Sequence, residues 1–360
     1  MGQVPAAAID VGTMFLQSAR DGKGDDIVYN TIRDCYREIE YAEEFEENLR
    51  AHGTQYIRDG ERLYVLGDDA LIQAGMAEFA AAASGAEQEM LKRPMRDGIL
   101  NPDSPKTSMV ILKELLRVCL EKDVGKARPG EILYYSVPAN PVDSQLDNQF
   151  HSSTIGRFLN GMGFDARPLS EALAVVLAEN PKMYSPEGEI GFTGIGISMG
   201  AGQCNFCLAE KGSPLMEFSV ARSGDWIDSN VARATGSSRT RVLRVKEKKL
   251  NFDQIDQTDE ILLALEVYYE SLINYVFGIF ATKFGSNKGG IDFPIDVILS
   301  GGTACPPGFD KRLKWLLDKM VLPFKIHEVR LAKDMLRTVA KGCYAKAKRA
   351  ALVQAKKGAK

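Results

Sequence analysis

The chain has 360 residues, of which 45% are hydrophobic and 26% are charged, and its formal net charge is −3. The composition is that of a globular protein, and the length exceeds what one hydrophobic core usually supports, so we expect two domains. The small net charge argues against a chain whose whole surface attracts nucleic acid or anionic membranes.

The first half of the chain is predicted to alternate between strands and helices. Apolar runs predict strands at residues 6–10 and 132–138, and helical patterns predict helices at residues 143–162 and 169–180. A stretch rich in Pro and Gly follows at residues 180–188, and we interpret it as a domain boundary.

The second half repeats this alternation. Strands are predicted at residues 190–198, 203–209, 294–300 and 321–329, and helices at residues 260–283 and 332–352. The most apolar long stretch, residues 267–284, contains Glu270, Asn274 and Lys283, so we interpret it as a buried helix and expect no transmembrane segment. The alternation predicts α/β sheets covered by helices. Each half opens with a strand, a Gly-containing turn and a second strand, which indicates a duplicated nucleotide-binding unit.

Two features concern the cellular compartment. The first ten residues lack the charged start and long apolar core of a secretory signal, and we expect a cytoplasmic protein. The six cysteines favour reduced thiols in a chain of this length. Cys204 and Cys207 form a lone CxxC pair within a predicted strand, where positions three apart face opposite sides. We therefore interpret them as packed thiols and not as zinc ligands.

Three Gly-rich turns, each after an apolar strand, are the strongest functional signal. They are DVGT at residues 10–13, SMGAGQ at 198–203 and SGGT at 300–303. Glycines allow the backbone to come close to a phosphate, and their N–H groups can point at its oxygens. An aspartate at a strand end near phosphates is well placed to hold Mg²⁺ through water. One such turn is usually only structural, whereas three in this order indicate nucleotide binding.

The order of these turns resembles the phosphate and adenosine loops of the actin, sugar kinase and heat-shock chaperone superfamily. The segment at residues 298–313 resembles actin itself, and other segments resemble the bacterial actin-like branch that includes MreB and MamK. These segments are GDDA at 67–70, RPMRDGIL at 93–100, VPA at 137–139, GDWID at 224–228 and VKEK at 245–248. The resemblance covers nearly the whole chain. It implies an α/β protein with two related domains of actin-like (ribonuclease H-like) fold and ATP in the cleft between them.

The resemblance also implies a domain layout. Domain I would span residues 1–180, with a variable subdomain at about 32–92, and domain II would span residues 189–331, with a helical subdomain at about 229–288. Residues 332–360 would form a C-terminal helix that returns to domain I and ends in a basic tail. From Lys341 onward the chain contains seven basic residues and no acidic one. This tail fits an acidic partner, a membrane or nucleic acid, but it fits a solvated helix end with a frayed tail better.

The resemblance implies a role for each matching residue. Asp10 would hold the water shell of Mg²⁺, and Glu171 would position the attacking water, so both would be catalytic. The nucleotide would be bound by Gly12 and Thr13 at the β-phosphate, by Gly200 and Gly202 around the phosphates, and by Lys246, Glu247, Gly301, Gly302 and Thr303 at the adenosine. Taken alone, Glu171 also suits a helix N-terminus electrostatically, and Lys246 and Glu247 also suit a solvated charged face.

Four positions depart from the family pattern. Ser198 stands where the family normally has Asp, Gln203 replaces a Thr, and Asn205 occupies a further acidic position. Gln17 stands where eukaryotic actin has a phosphate-binding Lys. Because two carboxylates near the metal are missing, we expect ATP or ADP binding to persist and hydrolysis to be slow or absent.

The function implied is an actin-like ATP-binding protein that polymerises with itself into cytoskeletal filaments, with a possible cargo or membrane adaptor as partner. One alternative is a non-polymerising adaptor on the same fold that binds nucleotide. A small-molecule kinase is a further alternative, although no Asp stands in a convincing setting for its catalytic base. The sequence leaves these alternatives open.

Overall fold

The computed structural model describes residues 4–24, 26–82, 91–145, 148–180, 183–185, 188–284, 291 and 293–357. Its contacts divide the chain into two compact units. The first contains Met1–Val137, Asp147–Pro168 and Lys346–Lys360, and the second contains Pro138–Leu146 and Leu169–Ala345.

The strands of the described residues, in chain order, are β1 (Ala6–Val11), β2 (Phe15–Asp21), β3 (Ile27–Arg33), β4 (Tyr36–Glu40), β5 (Tyr56–Asp59), β6 (Arg62–Leu66), β7 (Ile132–Val137), β8 (Asp165–Ser170), β9 (Met183–Ser185), β10 (Gly188–Ile190), β11 (Gly194–Met199), β12 (Cys204–Glu210), β13 (Ser213–Val220), β14 (Ile295–Ser300) and β15 (Ile326–Leu331).

The helices are α1 (Glu43–Ala51), α2 (Gly67–Ala82), α3 (Lys106–Glu121), α4 (Asn148–Gly161), α5 (Glu171–Glu179), α6 (Gly224–Thr235), α7 (Arg239–Lys249), α8 (Glu260–Phe284), α9 (Phe309–Leu317) and α10 (Thr338–Lys357). A 3-10 turn spans Gly302–Ala304.

A five-stranded sheet with the order β3-β2-β1-β7-β8 forms the centre of the first unit. Strand β1 is antiparallel to β2 and parallel to β7, and all but one of its residues are buried. Apolar side chains of β1, β2 and α3 meet in one core cluster, which includes Ile9, Leu16 and Leu112. This burial on both faces explains why β1 reads as an apolar run and not as an alternating one.

The second unit repeats the same plan. Its sheet has the order β13-β12-β11-β14-β15, with β11 antiparallel to β12 and parallel to β14. In both sheets a three-stranded antiparallel meander is followed by a strand, β7 or β14, that runs parallel to the first strand of the meander. The two sheets therefore confirm the predicted α/β architecture with a duplicated unit.

A smaller sheet lies within the segment predicted as a variable subdomain. Its order is β4-β6-β5, and its buried side chains form a separate cluster that includes Leu49, Leu63 and Val65. The domain ranges themselves stay a prediction. The grouping by contacts differs from the expected boundary at residues 180–188, because α5 belongs to the second unit.

Helix α8 is the one described helix that is long and apolar enough to cross a membrane by length and composition. Its side chains pack into the core of the second unit, where Leu265, Tyr269, Leu272 and Phe280 are fully buried. This agrees with the interpretation of residues 267–284 as a core helix.

Several element bounds differ from the sequence prediction. The first residues of the predicted helix at 143–162, residues 143–145, are not helical, because the Asp143 carboxylate instead accepts hydrogen bonds from Ala221 N (2.8 Å) and the Tyr275 hydroxyl (3.0 Å). The last strand begins at Ile326 and not at 321. Cys204 and Cys207 lie in β12 as free, buried thiols, as predicted.

Candidate functional site

The first glycine turn joins β1 to β2 in the first unit. Gly12 N donates a hydrogen bond to Phe15 O at 3.2 Å, which closes the turn. A Cβ atom on Gly12 would lie 2.7 Å from the same oxygen, so only glycine fits without a shift of the backbone. Thr13 is buried within this turn. The two residues predicted at the β-phosphate thus form one tight structure at the end of β1.

Asp10 lies just before this turn and is held by the neighbouring strand. The Ser136 hydroxyl in β7 donates to Asp10 Oδ1 at 2.7 Å and accepts a hydrogen bond from Val11 N at 2.8 Å. Burial raises the pKa of Asp10 to about 6, while the Ser136 hydrogen bond acts in the opposite direction. An adjacent cation would stabilise the ionised carboxylate and offset this burial.

Gln17 is the neighbour of Asp10 on the same face of the sheet. The two residues are directly opposite in the β1–β2 pair, so their side chains project from one face. Gln17 is only 4% exposed, and its Oε1 atom has no hydrogen-bond partner in the described part of the chain. An orphaned buried oxygen costs about 1–3 kcal/mol, which a bound water would relieve. The carboxylate and amide oxygens together fit the hydrated Mg²⁺ ion that the resemblance implies.

The second glycine turn joins β11 to β12 in the second unit. Gly200 N donates to Gln203 O at 3.2 Å. Gly200 O accepts three hydrogen bonds: from the hydroxyls of Ser223 and Thr303, each at 2.7 Å, and from Gly224 N at 3.2 Å. The N-terminus of α6 and the third turn therefore fix the position of the second turn.

The third glycine turn follows β14 and touches the second turn directly. Gly301 has φ 97° and ψ 153°, a backbone region that is essentially restricted to glycine. Its N–H donates to Met335 O at 2.9 Å, and a Cβ atom there would lie 2.3 Å from Met199 O. Gly302 opens the 3-10 turn, and Gly202 is buried in the second turn. The structure thus brings together the second and third turns.

The residues predicted to bind adenosine differ from one another in burial and in their contacts. The Thr303 hydroxyl is bonded to Gly200 O, and its carbonyl accepts from the buried Tyr269 hydroxyl at 2.9 Å. Lys246 is 8% exposed and forms an ion pair with Asp228, which is 3% exposed, at 2.7 Å. Burial raises the pKa of Asp228, and Lys246 opposes that rise. Glu247 is exposed. The contacts seen for Thr303 and Lys246 are structural, and the nucleotide roles stay predictions.

Glu171 is the first residue of α5, and two side chains of the second hairpin hold it. Its Oε2 atom accepts from the Ser198 hydroxyl at 3.2 Å and from Asn205 Nδ2 at 3.0 Å. Ser198 and Asn205 are directly opposite in the β11–β12 pair. Asn205 Oδ1 in turn accepts from Ala139 N at 2.8 Å. The two neutral residues at normally acidic positions therefore act as a pair of donors to the Glu171 carboxylate.

This arrangement predicts a pH-dependent effect of Asn205→Asp. The new carboxylate would face Glu171, and two carboxylates in contact repel unless they share a proton. The folded state would then bind that proton more tightly than the unfolded chain, so its stability should fall as pH rises from about 4 to 7. Urea unfolding at both pH values, relative to wild type, measures the effect.

Asn205→Ala is the matched control for this substitution. It removes the hydrogen bonds without adding a charge, and we expect a loss of about 1–3 kcal/mol that changes little with pH. An Asn205→Asp penalty that is the same at both pH values would contradict the contact with Glu171.

The comparison with protein families decides the family of this chain. The sequence profile of the Volactin family matches residues 6–347. The chain belongs to the Volactin family. Among curated proteins, the comparison found no match to this Volactin-family chain.

Solved structures share the fold of this Volactin-family chain. The "MamK double helical filament" is 14% identical, with a TM-score of 0.65, over 95% of this chain and 98% of that one. MreB5 of Spiroplasma citri bound to AMPPNP is 15% identical, with a TM-score of 0.65, over 100% of both chains. EutJ from Carboxydothermus hydrogenoformans is 15% identical, with a TM-score of 0.50, over 96% of this chain and 90% of that one. These likenesses confirm the predicted actin-like fold.

Proposed function

We propose that this Volactin-family chain is an actin-like cytoskeletal protein that binds Mg-ATP and assembles into filaments. The observation that carries the proposal is the duplicated sheet, in which a glycine turn joins the first two strands of each copy. Asp10 and Gln17 accompany the first turn as oxygen acceptors, and the third turn is packed on the second. A cytoplasmic location and a partner for the basic tail stay predictions.

Two similar structures support this proposal. MamK was solved as a double helical filament, and MreB5 of Spiroplasma citri was solved with AMPPNP and also with ADP. Because they share the fold of this chain, a nucleotide-dependent filament is the activity we infer for it. A filament requires only a head-to-tail interface that does not close on itself.

Each turn would contact a different part of the nucleotide. Asp10 and Gln17 would accept hydrogen bonds from the water shell of Mg²⁺, and Gly12 and Thr13 would lie against the β-phosphate. Gly200 and Gly202 would surround the phosphates, and the third turn would bind adenosine. Bound Mg²⁺ supplies positive charge that neutralises the phosphates.

Hydrolysis is proposed to be slow. The Glu171 carboxylate already accepts hydrogen bonds from Ser198 and Asn205, so orienting an attacking water must compete with them. Position 198 also lacks the carboxylate that the actin superfamily normally has there. A slow ATPase would favour long-lived filaments, because nucleotide state changes rarely. The alternative, a non-polymerising adaptor that binds nucleotide, would bind ATP without assembly.

Thermal melting with Mg-ATP tests the binding part of the proposal. At about 100 times its dissociation constant, a ligand stabilises the folded state by roughly 2.7 kcal/mol. We expect such a rise for wild type and a much smaller one for Asp10→Asn, which cannot hold the metal shell with a charge. The matched control is Asp59→Asn, an exposed residue at the end of β5. No rise at millimolar Mg-ATP, or an equal rise for Asp10→Asn, would contradict the proposal.

A further inference from the structure

An irregularity lies between two strands at the edge of the second unit's sheet. In the parallel pair of β14 and β15, Ile295 is opposite Ile326 and Val297 is opposite Val329. Two steps along β14 therefore correspond to three steps along β15, so β15 contains one extra residue at this point. Such a bulge places two residues of one strand opposite one residue of the other and re-aims their side chains.

The bulge brings three metal-binding side chains together. His327 and Glu328 are the two residues opposite Asp296, whereas neighbours in a regular strand would face opposite sides of the sheet. His327 Nδ1 lies 2.8 Å from Asp296 Oδ1, and one ligand atom from each of the three side chains lies within 4.8 Å of the others. Only a small movement would bring these three atoms around one ion.

The ligand atoms of these three side chains favour one class of metal ion. One imidazole nitrogen and two carboxylate oxygens suit zinc and similar divalent transition metals, whereas Mg²⁺ prefers oxygen ligands alone. His327 is 70% exposed, and the groove beside it and Glu328 is lined by Trp315 and Asp318 of the α9 region. Water therefore has free access to complete the coordination.

We propose that Asp296, His327 and Glu328 form a binding site for one divalent transition-metal ion such as Zn²⁺, with water as the remaining ligand. The site is independent of the proposed nucleotide function, because none of its residues belongs to the glycine turns. The plain alternative is a surface His–Asp pair without a metal role, and such exposed pairs contribute little to stability.

Isothermal titration of the nucleotide-free full chain with Zn²⁺ tests this proposal. The sequence has only three histidines, of which His151 is buried and His52 is exposed at the end of α1. Cys305 is the exposed thiol of the described residues, so the titration uses a Cys305→Ser background. We expect one equivalent of Zn²⁺ to bind, with Mg²⁺ at the same concentration giving no comparable heat.

Variants separate this site from adventitious binding. Removal of a ligand should weaken binding at least as much as loss of an outer-shell contact, so His327→Ala and Asp296→Asn should each weaken it by about tenfold or more. His52→Ala, the matched control, should leave both affinity and stoichiometry unchanged. The proposal is overturned if the Cys305→Ser protein binds no zinc, if His327→Ala binds it as tightly, or if His52→Ala weakens it equally.

Discussion

Gly301→Ala is expected to lower the stability of the free chain and to abolish the rise in melting temperature caused by Mg-ATP. The residue has φ 97° and ψ 153°, and a non-glycine residue there costs about 1–3 kcal/mol in backbone strain. A Cβ atom would also lie 2.3 Å from Met199 O, a backbone atom that cannot move without displacing the second turn. The substitution should therefore separate the second and third turns, which the proposed nucleotide site needs in contact.

Gly236→Ala is the matched control for this prediction. Gly236 also has positive φ, 62°, at the C-terminal end of α6, but a Cβ atom there would have no neighbour within 4 Å. We expect a cost of about 1–2 kcal/mol from the left-handed backbone alone and an unchanged response to Mg-ATP. If both variants behave alike, the contact between the turns is not important for nucleotide binding.

Lys246→Ala is expected to destabilise the chain strongly even without nucleotide. The substitution would leave Asp228, which is 3% exposed, as a buried charge without its ion-pair partner. Breaking a buried pair in this way typically costs about 3–5 kcal/mol. The free energy of unfolding in urea measures it. The double variant Lys246→Met with Asp228→Leu should recover much of the loss, because it removes both charges.

Lys311→Ala is the matched control for Lys246→Ala, because it breaks an exposed ion pair and not a buried one. Its ion pair with Asp253 lies on the surface, and we expect an effect of at most about 1 kcal/mol. If Lys246→Ala leaves stability unchanged but weakens ATP binding, Lys246 has the adenosine-binding role that the actin-superfamily resemblance implies, and the structural role proposed for it is wrong.

The sequence predicted the features that depend on local chemistry. A strand followed by a glycine turn is visible in the sequence as an apolar run that ends in glycine. The turns that contain Asp10, Gly12, Gly200 and Gly301 could therefore be placed from the sequence, while the nucleotide roles of these residues stay predictions. The duplicated plan followed from the same pattern in each half. The actin-like fold was implied by the resemblance of these ordered turns to the actin superfamily, and not by their chemistry alone.

The partners of the side chains could not be predicted in the same way. Lys246 and Asp228 are 18 residues apart on different helices, and Glu171 meets Ser198 and Asn205 over 27 and 34 residues. Periodicity reports which face of an element is buried but not which distant side chain it meets. One contact of the Glu171 cluster could have been predicted from the sequence. Ser198 and Asn205 are at equal distances from the centre of the hairpin turn, and such positions pair across strands.

Long-range contacts also explain the misplaced element ends. The sequence predicts a helix from residue 143, yet residues 143–145 are not helical, and the Asp143 carboxylate is bonded to Ala221 and Tyr275, far away in sequence. The bulge in β15 is a second example, because strict alternation predicts opposite faces for His327 and Glu328. Local propensity is a weak guide wherever a single contact of this kind determines the backbone path.

ATP-dependent sedimentation tests the central claim most directly. Purified chain is centrifuged at high speed with Mg-ATP, with Mg-ADP and without nucleotide, and the pellet is inspected by negative-stain electron microscopy. The account predicts filaments in the Mg-ATP pellet, persistence over long incubation because hydrolysis is slow, and little pellet for Gly301→Ala. A chain that shows the melting shift with Mg-ATP but stays in the supernatant across salt and protein concentrations would contradict the filament and favour the adaptor.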